Sequence, residues 1–203
     1  MSRNAKETST SHFFGVGMQN TLNGFNIGGA IRALGCFGGS YLAVSGNRYK
    51  SRVSDFRCMD TELYRKNVPI FLGSNTLTPF IPYDSEIVVL ELGDGSDNII
   101  DFVHPRRAMY VFGPEDGAVD LNEFEGQKVH KVFIPSHMCL NLAASVYVTL
   151  YDRISKSKIY NVENTLCPNC GKDHWKINNE NNLDGTIAYH CNACGHDWNM
   201  PNV

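Results

Sequence analysis

The sequence predicts an α/β protein, a mostly parallel sheet with interspersed helices, followed by a small C-terminal metal-binding module. Three observations carry this prediction. Short runs rich in β-branched and aromatic residues alternate with helical or loop segments, the pattern of a parallel sheet. Two strand ends open into loops holding a Glu or an Asn, at 113–117 and 135–141. Such loops, at the carboxyl ends of strands, are where open α/β sheets bind ligands. Finally, two C-x-x-C pairs lie near the end of the chain.

The elements follow in order. Ser11–Met18 reads as the first strand, Asn20–Gly29 as a Gly/Asn-rich turn and Ala30–Phe37 as a helix. Gly39–Ser45, Val68–Leu72 and Glu86–Leu92 supply three more strands. The fifth, Met109–Phe112, runs into the turn Gly113-Pro114-Glu115-Asp116-Gly117. The sixth, Lys128–Ile134, stops at Pro135, which lacks the N–H that a ladder requires. A helix beginning near Cys139 then carries Leu140, Ala144, Val148 and Tyr151 at helical spacing. After Arg153 the composition turns to Ser, Lys and Asn, which marks a linker. The expected divisions are a disordered lead-in over 1–11, a main domain over 12–158 and a zinc ribbon over 159–203.

Composition fits a soluble enzyme. At 203 residues one main core with a small appendage is expected, and 42% hydrophobic content suffices to build it. No run approaches the roughly 18 apolar residues of a membrane span. The first eleven residues are polar and lack an apolar core, so no secretory signal is expected and the cytoplasm is the expected compartment. A formal charge of −3 argues against gripping nucleic acid by bulk charge. Residues 1–160 hold 16 basic and 16 acidic side chains, and residues 161–203 hold 2 and 5. One basic cluster stands out: Arg48, Lys50, Arg52 and Arg57, then Arg65 and Lys66. It reads either as a solvated surface loop or as a phosphate-contacting edge. Tyr41, Tyr49 and Tyr64 beside it are core or rim tyrosines, with base stacking as the alternative.

Cysteine usage splits in two. Cys36, Cys58 and Cys139 are scattered and read as reduced thiols. Cys167, Cys170, Cys191 and Cys194 form C-P-N-C and C-N-A-C, each followed by Gly, with twenty residues (171–190) between Cys170 and Cys191. Two such knuckles fit a structural zinc site, each bringing two sulfurs to one tetrahedral ion; two disulfides are the bland alternative. Four protein ligands would leave the zinc no open position, so its role is structural. A unit this small has little core of its own and needs the metal to fold.

Three motifs stand in order along the main domain. They are Asn26-x-Gly28-x-x-x-Arg32, then Gly113-x-Glu115-x-Gly117, then Ile134-Pro135 followed by Cys139-Leu140-Asn141. Over roughly residues 12–153 the chain resembles the SPOUT RNA methyltransferases, in particular the SpoU/TrmH-type branch that methylates ribose 2′-hydroxyls. Cys139 stands where the commoner family residue is Ser, and the loop before it is three residues shorter than in many relatives.

The resemblance implies a deep trefoil knot in the sheet domain, an exception to the rule that chains are unknotted. It implies S-adenosylmethionine bound by backbone groups near Leu90, Gly113, Ile134, Cys139 and Leu140. It implies a catalytic set of Arg32, Asn26, Glu115 and Asn141, with Arg32 orienting and polarising the ribose hydroxyl and the others positioning it. It further implies a homodimer with sites at the subunit boundary, acting on RNA, tRNA ahead of rRNA. Two alternatives are a knotted methyltransferase acting on a base and a non-catalytic adaptor that uses the fold and ribbon to bind RNA or protein. His104 and His137 match no family position and read as loop histidines.

Overall fold

The computed structural model describes residues 13–49, 59–93, 95–157, 167–170, 175–179 and 186–201. Residues 12–154 form one compact unit. It runs β1 (Phe13–Met18), α1 (Gly24–Phe37), β2 (Tyr41–Ser45), β3 (Ile70–Ser74), β4 (Glu86–Leu90), β5 (Asp97–Asn98), β6 (Arg107–Phe112) and β7 (Val129–Phe133), then α2 (Leu142–Lys156), which continues past the unit's end. The strands pair in the order β3-β2-β1-β6-β4-β7-β5, and every pairing is parallel. Each of the six strands expected from sequence overlaps one of these; the two-residue β5 was too short to leave a pattern.

Parallel strands buried on both faces need apolar side chains on both, and β4 and β6 supply them. Val88, Ala108, Tyr110 and Phe112 face one core with Ile27, Ile31 and Leu34 of α1 and Val146 and Leu150 of α2. Ile87, Val89, Met109 and Val111 face a second core closed by Leu77, Val119 and Phe124 from the connecting loops. Both helices therefore cover the same face.

Two sequence expectations about helices are corrected. α1 begins at Gly24, not Ala30, because Asn23 caps it by accepting the Phe25 N–H at 3.0 Å. One of the glycines that read as a turn is a packing site: a Cβ on Gly29 would stand 2.6 Å from the Ala143 Cβ, so this glycine lets α2 lie against α1. α2 begins at Leu142, not near Cys139, because the Asn141 Oδ1 accepts the Ala143 and Ala144 N–H groups at 2.9 and 3.3 Å. Its buried residues are Val146, Thr149, Leu150 and Arg153. The periodic set marks another face, with Val148 38% and Tyr151 63% exposed. That apolar stripe is real but faces away from the core.

His104 is a loop histidine with a structural function. Its Nδ1 lies 2.7 Å from the Tyr110 hydroxyl and its Nε2 lies 2.8 Å from Asp152 Oδ2. Arg153 Nη1 donates to the same hydroxyl at 2.8 Å, and the guanidinium also donates to the carbonyls of Pro105 and Arg106. Burial pushes Tyr110 up to about 12, so the hydroxyl keeps its proton. This network ties the end of α2 to β6. His137 is exposed.

The second unit, described by itself, is an antiparallel sheet in the order β10-β9-β8, with β8 at Trp175–Asn179, β9 at Thr186–Cys191 and β10 at Asp197–Pro201. The lead-in at 1–11 and residues 158–166, where the expected ribbon begins, lie outside the described residues, and the expected linker after Arg153 is instead helical to Lys156. No helix among the described residues is long and apolar enough to cross a membrane.

Candidate functional site

Because the sheet is parallel, its carboxyl ends lie along one edge. The ends of β6, β4 and β7, which are neighbours, frame a cavity of about 390 Å³, within the range of small-molecule sites, roughly 300–1,000 Å³. Leu90, Gly113, Ile134, Cys139 and Leu140, the five positions assigned to the cofactor, line it, as do Glu115 and Asn141. A Cβ on Gly113 would stand 3.1 Å from both the Val119 nitrogen and its Cγ2, so glycine there lets the returning chain press against the end of β6. Among the described residues lining the cavity there are two carboxylates, Glu91 and Glu115, and no Lys, Arg or His. The described lining offers no side-chain counter-charge to a phosphate.

The three motifs meet at one side of this cavity. Glu115 Oε1 accepts from Thr21 Oγ1 at 2.8 Å, Asn23 N–H at 3.1 Å and Asn26 Nδ2 at 2.7 Å, while Oε2 accepts from Leu22 N–H at 2.8 Å. Asn26 Oδ1 in turn accepts from Asn141 Nδ2 at 3.0 Å. Asn26 sits inside the first turn of α1, not at its cap, and is buried, as is Thr21. Partial burial pushes Glu115 up, but the hydrogen bonds from Leu22, Asn26 and Thr21 outweigh it and hold the carboxyl below its usual range. One ionised carboxylate thus organises the loop after β1, the start of α1 and the cap of α2.

Arg32 is not brought to the cavity within this chain. It is exposed on α1, where Nη1 donates to Thr61 Oγ1 at 3.2 Å and to the Met59 carbonyl at 3.5 Å. The basic cluster is also changed by the structure. Arg48 grips Asp116 with two hydrogen bonds at 2.8 and 2.7 Å, and Arg65 pairs with the buried Asp60 at 2.9 Å. Both guanidiniums are thereby committed to partners within the chain. Lys50, Arg52 and Arg57 lie outside the described residues. Tyr41 and Tyr49 are buried, which removes them as base-stacking rings, and Tyr64 is half-buried. Sequence reasoning missed Thr21 and Glu91. Glu91 could have been found as the polar residue following the last apolar position of β4.

In the second unit the four cysteines meet. Their sulfurs all lie within 4.8 Å of one another, with Cys167–Cys194 at 3.6 Å and Cys170–Cys191 at 3.7 Å. A tetrahedron with metal–sulfur bonds of about 2.3 Å has edges of about 3.8 Å, whereas a disulfide is about 2.05 Å long. The four thiols therefore fit one tetrahedral ion. Hydrogen bonds from the Asn169 side chain and the His196 backbone bring Cys194 down to about 6, favouring the thiolate a metal requires. Strong chelation of zinc-loaded protein is expected to abolish the ordered structure of the ribbon and leave the sheet unit folded. Limited proteolysis checks this: cleavage should become confined to residues beyond α2, and an unchanged digest would remove the metal from the account of folding.

No family model and no curated protein matches this sequence. Solved structures do match. The SpoU methyltransferase AviRb from Streptomyces viridochromogenes is 19% identical with a TM-score of 0.61, over 72% of this chain and 62% of that one. The chain thus spans less than two thirds of AviRb. The same enzyme in complex with AdoMet also matches, at 18% identity with a TM-score of 0.56 over 71% of this chain and 57% of that one. The A. aeolicus TrmH/SpoU tRNA modifying enzyme is 19% identical with a TM-score of 0.62, over 74% and 80%. A structure described by the 2-OH methylation of C/U34 on tRNA is 16% identical with a TM-score of 0.59, over 71% and 95%. Residues 12–154 therefore have the fold of the SpoU/TrmH methyltransferases.

Proposed function

We propose that this protein is an S-adenosylmethionine-dependent RNA methyltransferase that acts on a ribose 2′-hydroxyl of tRNA or rRNA. The observation that carries the reading is the hydrogen-bonded union of Glu115, Asn26 and Asn141 beside a cavity at the carboxyl ends of parallel strands. Three motifs distant in sequence converge on one place, which a structural turn or cap does not require. The cavity's chemistry agrees with a cationic sulfonium ligand: among the described lining residues there are two carboxylates and no cationic side chain. AviRb is bound to AdoMet in one of the matching structures, and another match concerns 2-OH methylation of tRNA.

When bound, S-adenosylmethionine supplies an electrophilic methyl group, so the chain's task is alignment and help with one proton. Leu90, Gly113, Ile134, Cys139 and Leu140 would hold the cofactor. Asn26 and Asn141, fixed by Glu115, would position the ribose. Arg32, always charged, would orient and polarise the hydroxyl and stabilise the developing oxyanion. Arg32 would meet that site across a homodimer, and two features support this: its exposure on α1, and the apolar side chains Phe25 of α1 and Val148 and Tyr151 of α2, which are exposed among the described residues. The same reading includes the trefoil knot, a zinc-loaded ribbon as a separate module and a cytoplasmic location.

The test is methyl transfer from isotopically labelled S-adenosylmethionine to total cellular RNA, followed by nucleoside mass analysis. Label in a 2′-O-methylnucleoside is expected. Label on a base would replace the ribose reading, and absence of cofactor binding by folded, zinc-loaded protein would favour the adaptor.

A further inference from the structure

Glu91 is the carboxylate of the cavity that the catalytic arrangement does not use. Its backbone is held on both sides: the N–H donates to the Val132 carbonyl at 3.0 Å, extending the pairing of β4 with β7, and its own carbonyl accepts from Ser96 Oγ at 3.1 Å. The side chain is fixed as well, because Oε2 accepts from the Val119 N–H at 2.9 Å. That same nitrogen lies 3.1 Å from where a Cβ on Gly113 would stand, so the carboxylate is beside the glycine that ends β6. Among the described residues Oε1 has no hydrogen-bond partner. Glu115, by contrast, has its carboxylate engaged by four donors. A half-buried carboxylate with one oxygen pinned and the other open is an acceptor of fixed direction.

We infer that Glu91 binds the ribose diol of the cofactor's nucleoside, accepting a hydrogen bond through Oε1 and setting specificity for a ribonucleoside ligand. The assignment rests on the cofactor reading above. A neutral hydroxyl satisfies the open oxygen without bringing a second charge out of water beside Leu90 and Val119, whereas an ammonium would have to be desolvated there. Parallel α/β sheets that bind dinucleotides use an acidic residue on the ribose hydroxyl in the same chemical manner. Because Oε2 is already locked, little side-chain freedom remains to be lost on binding.

Calorimetry on the full, zinc-loaded chain tests this with S-adenosylhomocysteine and its 2′-deoxy and 3′-deoxy ribose forms. Wild-type protein should bind the weaker of the two deoxy forms about tenfold less tightly than the parent. Glu91→Ala should bind the parent about tenfold less tightly than wild type and lose less than about twofold more on the same deletion, since the hydroxyl then has no partner to lose. Glu91→Met keeps most of the volume and offers the ligand hydroxyl no strong donor or acceptor; it should show the same insensitivity if Glu91→Ala does not fold. Equal losses on hydroxyl deletion in wild type and both variants would overturn the assignment while leaving the cofactor reading intact. No binding of the parent by folded wild type would overturn both.

Discussion

Glu115→Ala is expected to destabilise the sheet unit by about 2–4 kcal/mol and to lower methyl transfer by on the order of 100-fold or more. The stability loss follows from what the carboxylate holds. Without it the Asn26 amide and the Thr21 hydroxyl, both buried, lose their acceptor, and the Leu22 and Asn23 N–H groups lose theirs at the surface. The rate loss follows from Asn26, which is the link to Asn141. Glu115→Gln should be less damaging, because its carbonyl oxygen can still accept from Thr21, Asn23 and Asn26 and only the Leu22 N–H is left facing an NH2. The sign with pH is fixed by the lowered folded pKa. The carboxylate's contribution is complete above the ordinary carboxylate range and is lost as pH falls through the folded value, so wild type should lose more stability on acidification than Glu115→Ala does. Urea denaturation at several pH values measures both effects. A variant within about 0.5 kcal/mol of wild type, with turnover within a fewfold, would show that the network is not the organising element of the site.

Most of the sheet was legible because a buried parallel strand leaves an unambiguous mark. Val88, Val89, Tyr110 and Val111 are apolar on both faces, and glycine or proline follows or precedes their strands. The four cysteines were legible for a similar reason, since their spacing alone limits what they can hold. The helices were less so. The Gly/Asn composition of residues 20–29 reads as a turn, yet Asn23 starts a helix there and Gly29 is needed for the approach of α2. The periodicity of Ala144, Val148 and Tyr151 identified a helix correctly but suggested the wrong buried side, since periodicity says only that an apolar face exists. Pairings between distant side chains left no local trace. Nothing in the sequence links Thr21 to Glu115, Arg48 to Asp116 or His104 to Asp152. The motifs named Glu115, Asn26 and Asn141 separately; the hydrogen bonds joining them come from the fold.

Arg32→Ala is expected to lower methyl transfer by on the order of 100-fold or more while leaving S-adenosylmethionine affinity within about twofold. Arg32 does not line the cavity, so its removal takes nothing from the ligand, and as an exposed helix residue it should cost no more than about 0.5 kcal/mol of stability. Arg32→Lys should recover little, because an ammonium lacks the planar fork that can hold a ribose oxygen and a neighbouring acceptor together. The proposed dimer gives this prediction a sharper form. If Arg32 completes the site of a partner, a heterodimer of Arg32→Ala and Asn141→Ala chains carries both defects in one site and none in the other. Mixing the two inactive proteins after dissociation should then restore about a quarter of wild-type activity, since about half the dimers are mixed and each has one intact site. If Arg32 acts within its own chain, every site in the mixture keeps one defect and no activity returns. Loss of activity without rescue would leave Arg32 catalytic but remove the shared site. Arg32→Ala activity within a fewfold of wild type would remove Arg32 from the chemistry altogether.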